Sequence, residues 1–217
     1  MRNTRGYYYK LALSMTHKFI NENGEKVKYY RLETTEQSLC QKYIEPDCIV
    51  LELGARYGTV SKVINEKLLN RKNHVVVEPD DRVWSALERN KNHNNCEFGI
   101  IKGFISKQKF SLTNTDNYYG GYGSTAINNE ASYIPSYTLD EIKRIHNLNF
   151  NTLVADCEGF LEIFFDENPE LLDQLKLIIF EVDYPKKCNY GKIRENLKNH
   201  NFAQIESLRD NEVWKII

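Results

Sequence analysis

The chain has 217 residues, 41% of them hydrophobic, and 29 Lys/Arg against 30 Asp/Glu give a net charge of −1. That length suits one domain with a sizeable core, and the hydrophobic share excludes a chain too polar to fold. The near-zero charge excludes a global pull toward nucleic acid or an anionic membrane.

Residues 1–47 read as an N-terminal extension packed on the core, helical and extended, with a helix near 35–44 closed by Glu45-Pro46-Asp47. Its first 31 residues carry seven basic side chains (Arg2, Arg5, Lys10, Lys18, Lys26, Lys28, Arg31) against Glu22 and Glu25, a pattern expected of a solvated arm. The apolar run 11–15 is too short for a signal or membrane segment. From residue 48 to 217 strands and helices alternate: strand 48–53, helix 59–69, strand 74–78, helix 81–91, strand 97–101. The series resumes with strand 152–156, helix 159–173, strand 176–182, helix 190–199 and a final pair near 202–208 and 212–217. Such alternation predicts an α/β domain, 48–217, with a mostly parallel seven-stranded sheet and helices on both faces. Ligands of such folds bind at the carboxyl edge of the strands.

The interval 106–137 breaks the rhythm. It holds Tyr118-Tyr119-Gly120-Gly121-Tyr122-Gly123-Ser124-Thr125, and a long polar segment inside a domain is most often functional. It reads as a lid over the crevice. Cys40, Cys48, Cys96, Cys157 and Cys188 are odd in number and contain no C-x-x-C pair. This points to a reducing, cytoplasmic compartment and to no structural zinc.

The first strand, Ile49-Val50-Leu51-Glu52-Leu53, runs into Gly54-Ala55-Arg56-Tyr57-Gly58. A dinucleotide fold wants G-x-G-x-x-G, whose second glycine lets the backbone approach a pyrophosphate. Here Arg56 holds that position, which favours S-adenosylmethionine (SAM), a ligand without phosphates, over NAD. Glu52 is placed to receive its ammonium end. Glu78, at the tip of the second strand, is placed to bind two ribose hydroxyls, and Gly103-Phe104 with the 120–124 segment to flank the adenine. Strand four ends in Asp156-Cys157-Glu158-Gly159 and strand five in Glu181-Val182-Asp183. Acids at i and i+2 share one side of a strand. Asp156, Glu181 and Asp183 are therefore expected to converge, either around Mg²⁺ or with Asp156 as a direct proton acceptor.

Taken in order, these residues resemble the FkbM-type SAM-dependent methyltransferases. The matching segments are Glu52-Leu53-Gly54-Ala55-x-x-Gly58, Val77-Glu78-Pro79 with Leu87 and Asn90, Thr138-Leu139-Asp140, Asp156-x-Glu158-Gly159 and Glu181. The resemblance covers about residues 48–183 and departs from the family at Arg56. It implies a Rossmann-like O-methyltransferase acting on a hydroxyl of a sugar, glycan or glycosylated small molecule. Asp156 and Glu158 would serve catalysis. Glu52, Gly54, Ala55, Gly58, Glu78, Gly103 and Phe104 would form the cofactor site. Three rivals remain. An RNA ribose 2′-O-methyltransferase would stack bases on Tyr118, Tyr119 or Tyr122, but no lysine stands beside Asp156. The others are an NAD(P)-linked reductase and a SAM-binding protein without catalysis.

Overall fold

Residues 19–113 and 124–217 are described by a computed structural model. β1 (Phe19–Ile20) and β2 (Lys26–Val27) make a small antiparallel hairpin, and a 3-10 turn at Tyr29–Arg31 leads into α1 (Thr34–Tyr43). The alternating series follows: β3 (Val50–Leu53), α2 (Thr59–Lys67), β4 (His74–Glu78), α3 (Trp84–His93) and β5 (Gly99–Lys102). Four short strands come next, β6 (Phe104–Ile105), β7 (Phe110–Leu112), β8 (Ala126–Asn128) and β9 (Ser136–Tyr137), then α4 (Leu139–His146). β10 (Thr152–Ala155), α5 (Leu161–Glu167), β11 (Leu177–Glu181), α6 (Tyr190–Asn199), β12 (Phe202–Leu208) and β13 (Asn211–Ile216) complete the fold.

The main sheet has seven strands in the order β12-β13-β11-β10-β3-β4-β5. β4 and β10 flank β3 in parallel, with Leu51 level with Val75 on one side and Leu153 on the other. β13 runs antiparallel to both β11 and β12. The chain winds outward from β3 through β4 to β5, then crosses back to β10 beside β3. That reversal opens a crevice at the carboxyl ends of β3 and β10.

Side-chain alternation along each strand builds two apolar layers. Leu51, Leu53, Leu153, Ile178, Phe180 and Trp214 face the layer of α4, α5 and α6. Val50, Val154, Ile179 and Val213 face the opposite way, against Leu39, Cys40 and Ile44 from α1 and its end and Val63 and Ile64 from α2. The N-terminal segment thus contributes core, and α1 packs on the sheet beside α2. Residues 1–18 lie outside the described ones.

Two local expectations change. The helix expected over 159–173 stops at Glu167, and a 3-10 turn, Pro169–Asp173, follows. Pro169 has no N–H to continue the ladder, and the Asn168 side-chain amide donates to the Phe164 carbonyl, closing the helix. The interval 106–137 is not a plain loop: β7 and β8 pair as an antiparallel hairpin, and β6 pairs in parallel with β9. Residues 114–123, which hold the tyrosine cluster, lie outside the described residues. Thr138 caps α4 with a reciprocal capping box, accepting from the Glu141 N–H while Glu141 accepts from the Thr138 N–H. All five cysteines are free. Among the described residues no helix is long and apolar enough to cross a membrane.

Candidate active site

The crevice at the ends of β3 and β10 is lined by residues of both strand ends and of β4, among them Gly54, Glu78 and Asp156. Its geometry starts from the turn after β3. Gly54 has φ +86, and a Cβ there would stand 1.7 Å from the Asp156 carbonyl oxygen. Only glycine lets the ends of β3 and β10 approach this closely. The Gly54 N–H donates to the Val77 carbonyl, tying the turn to β4 as well. Gly103 does similar work at the next strand: a Cβ would meet the Pro135 carbonyl oxygen at 2.3 Å. Its N–H donates to the Glu78 carbonyl, so the chain turns there and sends Phe104 into the crevice wall.

Glu78 closes β4 with its carboxylate facing the turn. One oxygen accepts the Arg56 N–H at 2.6 Å and the other the Asp80 N–H at 2.8 Å. Burial pushes its carboxyl up to about 7 against the pull of those two backbone donors. Each oxygen keeps a second lone pair. Asp80 is gripped by Arg82, whose guanidinium contacts both carboxylate oxygens at 2.8 Å. Phe104, Phe160 and Phe110 form an aromatic wall, with centroids 5.1–5.8 Å apart, and the first two line the crevice. Leu112 and Ala126, from the β7–β8 hairpin, line it beside Ser124.

Of the residues singled out in the sequence, Gly54, Glu78, Phe104, Asp156 and Glu158 line the crevice together. Glu52 does not. It shares the sheet face of Val50, so its carboxylate turns under α2, where it accepts from the Ser61 hydroxyl and meets His74 Nε2, both at 2.8 Å. That alternation sets its direction: β3 runs one residue beyond it, and Glu52 is mid-strand. Ala55 is buried among Val76, Leu87, Cys96 and Phe98. Gly58 starts α2 against Leu87.

The expected metal triad is corrected. Among the described residues no group of His, Cys, Asp and Glu is placed to hold a metal ion. β11 ends at Glu181, so the two-residue periodicity does not carry to Asp183. Asp183 turns toward α5 and α6, accepting from the Gly159 N–H at 3.0 Å and from the Tyr190 hydroxyl at 2.5 Å. Asp156 and Glu181 instead share a hydrogen bond. Burial, followed by Glu36 and Glu181, pushes Asp156 well above the usual carboxylate range.

Glu33, which no local pattern marked, lines the same space from just ahead of α1. Arg56, Asp80, Cys157 and Phe160 line it as well. Five carboxylates, Glu33, Glu78, Asp80, Asp156 and Glu158, thus face one cation, Arg56, among the described lining residues.

No protein-family model and no curated protein matches the sequence. Solved structures do. A ribosomal protein L11 methylase from Lactobacillus delbrueckii subsp. bulgaricus aligns with a TM-score of 0.50 at 14% identity, over 85% of this chain and 78% of its own. A precorrin-6y C5,15-methyltransferase from Geobacter metallireducens aligns at 0.52 and 11% identity, over 87% and 91%. A protein in the NADB-Rossmann superfamily from Streptococcus agalactiae aligns at 0.52 and 8% identity, over 83% and 67%. The fold is that of the Rossmann-like methyltransferases. The first two of these proteins modify different targets, so the likeness fixes architecture and leaves the acceptor to the chemistry of the crevice.

Proposed function

We propose that the protein is a SAM-dependent O-methyltransferase acting on a hydroxyl of a sugar, glycan or glycosylated small molecule. The observation that carries this reading is the charge of the crevice at the switch point of a methyltransferase fold. A pyrophosphate would meet an acidic lining that includes Glu33, Glu78, Asp80 and Glu158 and be repelled. A sulfonium compound with an ammonium group would be attracted. The donor set fits SAM in a second respect: Glu78, with spare lone pairs at the tip of β4, suits two ribose hydroxyls. Bound there, SAM supplies an electrophilic methyl group to a positioned oxygen.

The chain's own residues then have separable tasks. Gly54 and Gly103 bring three strand ends together, and Phe104 offers an apolar face to a base. Leu112, Ala126 and Phe160 exclude water on the acceptor side. Asp156 is the proposed proton acceptor, with Glu158 beside it. It takes the acceptor's proton, and its hydrogen bond with Glu181 holds it in place. Alignment of the two reactants supplies much of the rate. The acidic lining also disfavours RNA, whose phosphates would approach the same carboxylates. The FkbM-type resemblance supports a sugar hydroxyl as acceptor.

Calorimetry with SAM and with NAD tests the cofactor, and the expected result is binding of SAM alone. Methyl transfer from labelled SAM to sugar nucleotides, free glycans and capped RNA tests the acceptor. Label in the RNA and not in the glycans would reverse the acceptor assignment, and binding with no transfer to any class would favour a SAM-binding protein without catalysis.

A further inference from the structure

A nucleoside bearing an amino-acid end must place an ammonium and a carboxylate somewhere along the turn after β3. With Glu52 committed beneath α2, Arg56 is the charged side chain that the turn itself offers to the crevice, and Glu33 lines the same space from just ahead of α1. We propose that Glu33 and Arg56 together hold the zwitterionic end of the cofactor, Glu33 taking the ammonium and Arg56 the carboxylate. The inference rests on the SAM reading above and adds a residue pair, one member of which comes from outside the nucleotide-binding core.

Glu33 is held firmly. It adopts a left-handed conformation, φ 48 and ψ 31, immediately before α1. A non-glycine residue stays there only when its surroundings dictate it. They do so from both sides. Gln37 reaches back from α1, its side-chain amide donating to the carbonyls of Tyr29 and Leu32 at 3.0 and 2.9 Å. The Gln37 N–H donates to the Glu33 carbonyl at 2.8 Å. Leu32 packs on the cluster of Tyr57, Val83 and Ala86, which ties the segment to the glycine turn. The Glu33 carboxylate accepts from the hydroxyl of Thr59, the first residue of α2. An acid is therefore delivered to the start of α2 from Glu33, 17 positions ahead of Val50, the first residue of β3, and it lines the same crevice as Glu78.

Arg56 lines the crevice together with both acids. Its own φ is 44, and its guanidinium lies 4.8 Å over the Tyr57 ring with Nη2 3.3 Å from the Tyr57 hydroxyl. Its field reaches both Glu33 and Glu78. A guanidinium offers a planar fork that matches a carboxylate, which a small residue at this place would lack. A cation and an anion fixed on one wall select a ligand that carries both charges.

The test compares S-adenosylhomocysteine with 5′-methylthioadenosine, which lacks the amino-acid end, by calorimetry on the full chain. The parent is expected to bind S-adenosylhomocysteine at least tenfold more tightly. Glu33→Gln and Arg56→Gln are each expected to weaken S-adenosylhomocysteine about tenfold or more and to change methylthioadenosine less than twofold. Retained methylthioadenosine affinity certifies in the same experiment that each variant is folded. Equal weakening of both ligands would make the pair structural and overturn the proposal, as would unchanged affinity for both. A parent that binds the two ligands equally would overturn it while leaving the nucleoside site intact. A parent that binds neither would overturn the SAM reading with it.

Discussion

At the scale of single residues, the buried acids govern the chemistry. Glu78 and Glu33 are both pushed up to about 7 from an ordinary 4.5, chiefly by burial. The native state holds protons that the unfolded chain has released between those two values. Their contribution to stability is thus present at low pH and lost as pH rises through about 7. Glu78→Gln should remove the Glu78 share: its thermal midpoint, compared with the parent, should gain between pH 5 and pH 8, and parallel profiles would contradict the assignment. A bound cation reverses the cost, so SAM should raise the parent's midpoint more at pH 8 than at pH 5. Glu78→Ala should weaken SAM by about 1.5–3 kcal/mol, the usual loss for a hydrogen bond to a charged group, measured by calorimetry. Asp156→Asn should slow methyl transfer by about 100-fold or more with SAM affinity retained, and near-normal turnover would remove Asp156 as proton acceptor.

At the scale of elements, each local device can be removed singly. Gly54→Ala sets a Cβ against the Asp156 carbonyl and should cost on the order of 3 kcal/mol in urea denaturation, with loss of SAM binding. Thr138→Ala breaks the α4 capping box far from the crevice and should cost about 1 kcal/mol with cofactor affinity unchanged. The contrast separates a residue that shapes the site from one that merely starts a helix. These elements were also the legible part of the sequence. Apolar runs ending in Gly or acid marked β3, β4, β10 and β11, because buried parallel strands need continuous apolar chains and their tips need turns. The directions of Glu52 and Asp183 were not legible for one reason: whether an acid lies inside or beyond a strand depends on where pairing stops, and pairing is set by neighbours distant in sequence. The β7–β8 hairpin was missed because its three-residue strands carry too little pattern to rise above the polar surroundings.

At the scale of the whole molecule, the crevice was legible in outline and its charge was not. Glu33 and Glu36 arrive with α1, and nothing near them in the sequence announces that α1 packs beside α2 over the sheet. Since among the described residues no three acids are grouped to hold an ion, millimolar Mg²⁺ or a chelator should leave both SAM affinity and turnover unchanged, and activity lost to chelation and restored by Mg²⁺ would refute this. The order of the strands has a further consequence. β13 lies between β11 and β12, paired antiparallel to each, and carries Trp214 into the core. A ribosome therefore makes β12 before the strand that joins it to the sheet exists. Until residues 211–216 emerge, β11 is an open edge and β12 has nothing to pair with. Synthesis in order cannot complete this sheet in order: the outermost strand must wait for an inner one, and nascent chains halted before Asn211 should be markedly more sensitive to protease than those released beyond Ile216.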